Sequence, residues 1–125
     1  MRPSLALTIV AMEAVLVGVA VTLFPSQMLA GFGLGTATEA LIQSRDLGVS
    51  LVSLGIINWT ARGATGAPLR GILWGNIFFQ VVGGGAVHVW EIAAGQLPSS
   101  TATFLVIPLA LTIMLALALR RPEAA

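Results

Sequence analysis

Residues 5–24 read LALTIVAMEAVLVGVAVTLF, twenty residues with a single charge, and Pro25 follows at once. Wound as a helix at ~1.5 Å per residue, such a run covers a ~30 Å hydrocarbon layer, and proline ends it because it cannot donate to the ladder. Met1-Arg2-Pro3 ahead of an apolar run has the form of a secretory leader. Glu13 interrupts that run, however, its length suits a span, and no small-x-small cleavage site follows, so it reads as retained. Comparable apolar blocks recur over 38–61, 68–90 and 101–119. The expected fold class is therefore all-α, an integral membrane four-helix up-down-up-down bundle, with 1–125 forming one transmembrane domain.

Composition agrees with that reading. The 125 residues are 57% hydrophobic and 9% charged, where soluble domains carry roughly a quarter charged residues. Four spans use nearly the whole chain, leaving no room for a separate catalytic domain, a nucleotide-binding fold or a nucleic-acid-reading module. The absence of Cys excludes disulfide scaffolds, thiol catalysis and cysteine-bound zinc or iron–sulfur clusters, and a single His excludes a bis-histidine haem. No cofactor and no metal are expected.

Between the spans, residues 26–38 hold Gly31, Gly33 and Gly35 and read as a loop or short interfacial segment, with Thr36 or Thr38 as N-cap of the second span. The glycines do not form a dinucleotide fingerprint, because no strand precedes them. Residues 62–66 turn, and Pro68 suits the start of the third span. Gly83-Gly84-Gly85 weakens that span, and Pro108 predicts a kink in the fourth. Arg2, Arg62, Arg70, Arg120 and Arg121, five of the six arginines, then share one side. By the positive-inside rule this puts both termini in the cytoplasm of a multi-pass protein of the cell (inner) membrane, with Trp59, Trp74 and Trp90 as its aromatic belts.

Three charges fall inside spans, where each costs about 2.5–3.5 kcal/mol without a partner, a cavity or a neutralising proton. Glu13 lies ~12 Å into the layer from one side, and Arg45 and Asp46 roughly 10–12 Å in from the other, so they are expected to approach one another near mid-depth. One guanidinium shared by two carboxylates leaves a negative site, and Glu13 is expected to hold the balancing proton. Asp46, Ser50 and Ser53 follow i, i+4, i+7 and form one polar stripe, with Arg45 rotated about 100° from it. In the third span Asn76, Gln80, Gly83 and Glu91 recur on another single face. Glu13, Arg45, Asp46, Asn76 and Gln80 are the candidate ligand- or proton-binding residues. The plainer alternative is that Glu13 and Arg45 pin two helices together and that Asn76 and Gln80 are interhelical glue. His88 and Glu91 at i, i+3 suit interfacial polar residues better than a metal pair. Gly71-x-x-x-Gly75 and Ala14-x-x-x-Gly18 favour close helix contacts, either within the chain or in a homodimer.

The stretch Arg45-Asp46-Leu47-Gly48, followed by Leu54-Gly55-Ile56-Ile57-Asn58-Trp59 and Ala61-Arg62, with Leu73-Trp74-Gly75-Asn76 in the next span, resembles the small four-helix DoxX-like membrane proteins. The resemblance covers about the middle half of the chain, matches Arg45 to the family's recurring arginine and carries no catalytic residue with it. It implies links to quinone or thiosulfate oxidation complexes, or to lipid handling. A second likeness is to small multidrug resistance transporters, in which Ala11-Met12-Glu13-Ala14 would supply the glutamate at the middle of the first helix. Those proteins do not usually carry an Arg-Asp pair in helix two. The leading expectation is a non-enzymatic protein of the lipid bilayer that binds an apolar small molecule, lipid or quinone, or serves as a membrane-complex subunit. The alternatives are a proton-coupled transporter using Glu13 and an intramembrane isomerase or cyclase.

Overall fold

A computed structural model describes residues 1–121. It contains helices and no strand among the described residues. Four helical stretches are long and apolar enough to cross a membrane: Pro3–Leu23, Thr38–Ala61, Gly66–Ala93 and Ser99–Leu119. The first is a single α-helix, α1, and the second is α3. Between them lies α2, Pro25–Gly31, so the glycine-rich connection, expected as a loop or a short interfacial segment, is half helical. Pro25 both ends α1 and opens α2, since a first-turn residue needs no donated N–H. The N-cap of α3 is Ala37, with no side-chain cap, so neither Thr36 nor Thr38 performs that role.

The third stretch has three parts: α4, Gly66–Phe78, a π-helical segment, Phe79–Ala86, and α5, Val87–Ala93. The fourth is a 3₁₀ segment, Ser99–Leu105, leading into α6, Val106–Leu119. Pro108 therefore falls in the first turn of the α-helical part, where a missing N–H costs no intrahelical bond. The glycine triplet does not break the third helix but widens it, the i→i+5 ladder replacing i→i+4 over eight residues. A side chain at Gly84 would place its Cβ 2.8 Å from Pro108 Cβ, so this glycine lets the wide turn lie flat against α6.

Two contacts organise the bundle. The first is the near-meeting of backbones in α1 and α3. A Cβ added at Gly18 would stand 2.6 Å from Gly48 O and 2.8 Å from Val52 N, and one at Gly55 would stand 2.9 Å from Ala11 O. Gly48 meets Thr22 and Gly18 in the same way. The pairing runs antiparallel, early α1 against late α3, and Ala14-x-x-x-Gly18 is thereby used inside the chain. The second is the apolar core, Ala6, Leu7 and Val10 of α1 with Leu69 and Leu73 of α4 and Leu111, Leu115 and Ala118 of α6. All of it lies at one end of the bundle. At the other end Phe32 stacks on Phe104 at 4.7 Å and meets the edge of His88 at 6.1 Å, while His88 Nε2 lies 3.1 Å from Thr101 O.

This packing overturns the expected approach of Arg45 and Asp46 to Glu13. Asp46, Ser50 and Ser53 do not turn inward; all three are exposed, as is Arg45. A helix offers one face to its neighbour, and Gly48 and Gly55, seven residues apart and so on one face, are the positions at which backbones can approach. The polar stripe lies on the opposite side, and contact with α1 leaves it outside.

Replacing Gly48 by Ala is expected to lower stability by about 1–3 kcal/mol, the usual scale of overpacking at a tight contact. Gly71→Ala is expected to change little, because a Cβ there meets nothing within 4 Å. Thermal melting in detergent, followed by the helical circular dichroism signal, measures both.

Candidate functional site

Beyond Gly48 and Gly55, the buried residue of α3 is Asn58, 1% exposed. It lies one turn before the helix end, rotated from the glycine face toward α4. Opposite it stands Asn76, 5% exposed. The two amides bond reciprocally: Asn58 Nδ2 donates to Asn76 Oδ1 at 2.8 Å, and Asn76 Nδ2 donates to Asn58 Oδ1 at 2.7 Å. Asn76 gives its other N–H to Ile72 O, one turn back on its own helix, at 2.9 Å. Both amide hydrogens of Asn76 are thus committed, whereas Asn58 keeps one N–H without a partner among the described residues.

Away from this pair α3 and α4 scarcely touch. They splay to leave an apolar groove of about 490 Å³ with the two asparagines at its floor and Leu54, Ile57, Phe78, Phe79 and Val82 on its walls. Gly75 lines it, and a Cβ there would meet nothing within 4 Å, so this glycine keeps the groove wide. Gly71 is equally open.

Gln80 is buried, 5% exposed, but it does not join Asn76. It is the second residue of the π-helical segment and faces the last helix. There it borders a second groove of about 290 Å³ against Leu105, Pro108, Leu109 and Thr112. The expectation of one polar face along the third span is corrected accordingly, with Asn76 facing α3 and Gln80 facing the fourth stretch.

Glu13, Arg45 and Asp46 do not form a mid-depth cluster. The contacts of Gly55 with Ala11 and Val15 put Glu13 level with Gly55, and those of Gly48 with Thr22 put Asp46 at or beyond Thr22. The two carboxyls are therefore about nine residues apart along the bundle axis, ~14 Å at 1.5 Å per residue. Depth counted from helix ends brought them together because it assumed spans of equal length starting flush. In fact α2 intervenes and α3 overshoots the end of α1. Glu13 is half-buried, one turn beyond the core layer of Val10.

His88 and Glu91 lie near Phe32 and Gln96 at the aromatic end. No group of three His, Asp or Glu side chains able to hold a metal occurs among the described residues. At the end of α3, Arg62 places Cζ 3.6 Å from the ring centroid of Trp59, a cation–π stack.

Sequence reasoning passed over Asn58. Its signal was available: an amide ten residues after Gly48 and three after Gly55, the two glycines that set the inward face, and a partner amide in the neighbouring helix. No protein-family model matches the chain, and neither a curated protein nor a solved structure matches it.

A double-mutant cycle on the asparagine pair has a definite expected shape. Asn58→Leu strands the Asn76 carbonyl and one N–H, and the single change is expected to cost about 1–3 kcal/mol, the scale of a buried polar group left unpaired. Asn58→Leu with Asn76→Leu removes both, and is expected to recover part of that loss. Strictly additive losses in chemical-denaturation midpoints would show that the pair is not coupled.

Proposed function

We propose that the chain is a non-enzymatic, multi-pass protein of the cell membrane that binds an apolar small molecule carrying a carbonyl or hydroxyl, such as a lipid or a quinone, in the groove between α3 and α4. The carrying observation is the Asn58–Asn76 pair at the floor of that groove. An amide pair recessed beneath apolar and aromatic walls offers one uncommitted donor, Asn58 N–H, and carbonyl lone pairs to a head group, while Phe78, Phe79 and Val82 cover an apolar body. Ligand sites of this kind combine a mostly apolar lining with few polar anchors.

Several features support the membrane setting. Four helical stretches have the length and apolarity of spans, and large apolar side chains such as Leu16, Ile56, Phe78, Val106 and Leu109 lie exposed around the outside. An up-down-up-down crossing would bring Arg2, Arg62, Arg70, Arg120 and Arg121 together, the asymmetry that places both termini in the cytoplasm. The groove then opens sideways to the bilayer, the route by which an apolar ligand arrives. Arg45, Asp46 and Glu13 take no part in this site.

Native mass spectrometry of gently extracted protein tests the reading. Wild type is expected to retain an apolar adduct, and Gly75→Leu is expected to lose it while melting close to wild type, because a Cβ at Gly75 meets nothing within 4 Å and the larger side chain extends into the groove. Asn58→Leu is expected to weaken retention. An adduct held equally by wild type and Gly75→Leu, or none in wild type, would overturn the assignment.

A further inference from the structure

The exposed side of α3 carries a pattern that the proposed ligand groove does not use. Glu39, Gln43, Asp46, Ser50, Ser53, Ile57 and Thr60 are spaced alternately four and three residues apart, the 3.5-residue repeat of a helix–helix seam. All seven are exposed, and all but Ile57 are polar. The hydroxyls of Ser50 and Ser53 donate back to their own helix, to Asp46 O at 2.9 Å and Val49 O at 3.0 Å. Glu39 lies in the first turn of α3, and the groups left facing outward deeper along the helix and in need of partners are thus the Gln43 amide, the Asp46 carboxylate and, on the flank, the Arg45 guanidinium. Asp46 stands eight residues into a 24-residue helix, ~12 Å from its start. In the membrane setting proposed above, on which this inference rests, that level lies within the hydrocarbon, where charged side chains face protein or a water-filled cavity and not lipid.

We propose that this stripe is the docking surface for a second copy of the chain, α3 against α3. Two copies inserted with the same orientation are related by a two-fold axis along the membrane normal, so each level of the stripe meets itself. The level of Arg45 and Asp46 is self-complementary under that operation: one cation and one anion from each copy, no net charge, each carboxylate within reach of guanidinium donors that lipid cannot supply. Ser50 and Ser53, small and with their donors satisfied, let the helices approach, as small residues do at membrane helix interfaces. A seam of this period winds left-handed. The face is free to do so because α1 occupies only the glycine face of α3, so the dimer forms without rearranging the chain.

The chain has no native Cys, which makes position-specific cross-linking direct. Purified protein with one Cys at a time at Gln43, Ser50, Ser53 or Ile57, and in parallel at Leu51, Val52 or Gly71, is reconstituted into phosphatidylcholine–phosphatidylglycerol vesicles, floated on a density gradient and oxidised. Disulfide-linked dimer is expected to be severalfold more abundant at the four stripe positions than at Leu51 and Val52. Ser50→Trp, a wedge at an exposed position, is expected to move the monomer–dimer midpoint, read by energy transfer on lipid dilution, to a severalfold higher protein-to-lipid ratio. Protein that floats with the vesicles yet stays monomeric, or that cross-links chiefly at Gly71, overturns the docking surface and leaves the membrane reading standing. Protein that fails to float overturns both.

Discussion

The backbone-to-backbone approach of α1 and α3 is the constraint from which the remaining arrangement follows. Gly18, Gly48 and Gly55 bring two helices close enough that an added methyl at any of them would collide with main-chain atoms. Once that face of α3 is spent, every other residue of the helix takes its place by rotation. Asn58 turns toward α4, and the stripe through Asp46 turns away from the molecule. In the membrane setting proposed above, where apolar contact has no advantage over lipid tails, such close van der Waals packing would weigh more in setting orientation than the pairing of a polar side chain.

The remaining cohesion is unevenly distributed. Leucines from α1, α4 and α6 interlock at one end, while α3 is tied to the third helix mainly by two amides. A reciprocal asparagine pair is directional and short-ranged. It fixes the register of α3 on α4 without closing the space around it, which is how a groove persists beside a contact. An apolar seam in the same place would have drawn the helices together and filled it.

How far this was legible in the amino-acid sequence depends on the length scale of the signal. Apolar runs of about twenty residues bounded by Pro25 and by Gly- and Ser-containing turns placed the four long helices to within a few residues. The glycine motif at Ala14 and Gly18 marked a close contact, though not with which helix. The position of charges along the bundle was not legible. It depends on the relative shift of α1 and α3, which glycine contacts and the extra helix α2 set, and which leaves Glu13 and Asp46 about nine residues, ~14 Å, apart along the axis. Which way the stripe faced was hidden for the same reason, since periodicity identifies a face but not its neighbour. The parting of Asn76 and Gln80 was hidden because residues at i, i+4 share a face only roughly, and two neighbouring helices can divide it between them.

The π-helical segment gives the third helix two independent azimuths. Its first half is clocked by Leu69, Leu73 and Asn76, its second by His88 against Thr101 and Phe32. An uninterrupted α-helix would tie these together at about 100° per residue, so satisfying one end would dictate the other. Eight residues of looser winding, with three glycines among them, set a different angular offset between the two. The polar anchor in one half of the molecule and the aromatic lock in the other then sit at angles that an uninterrupted α-helix would not bring together.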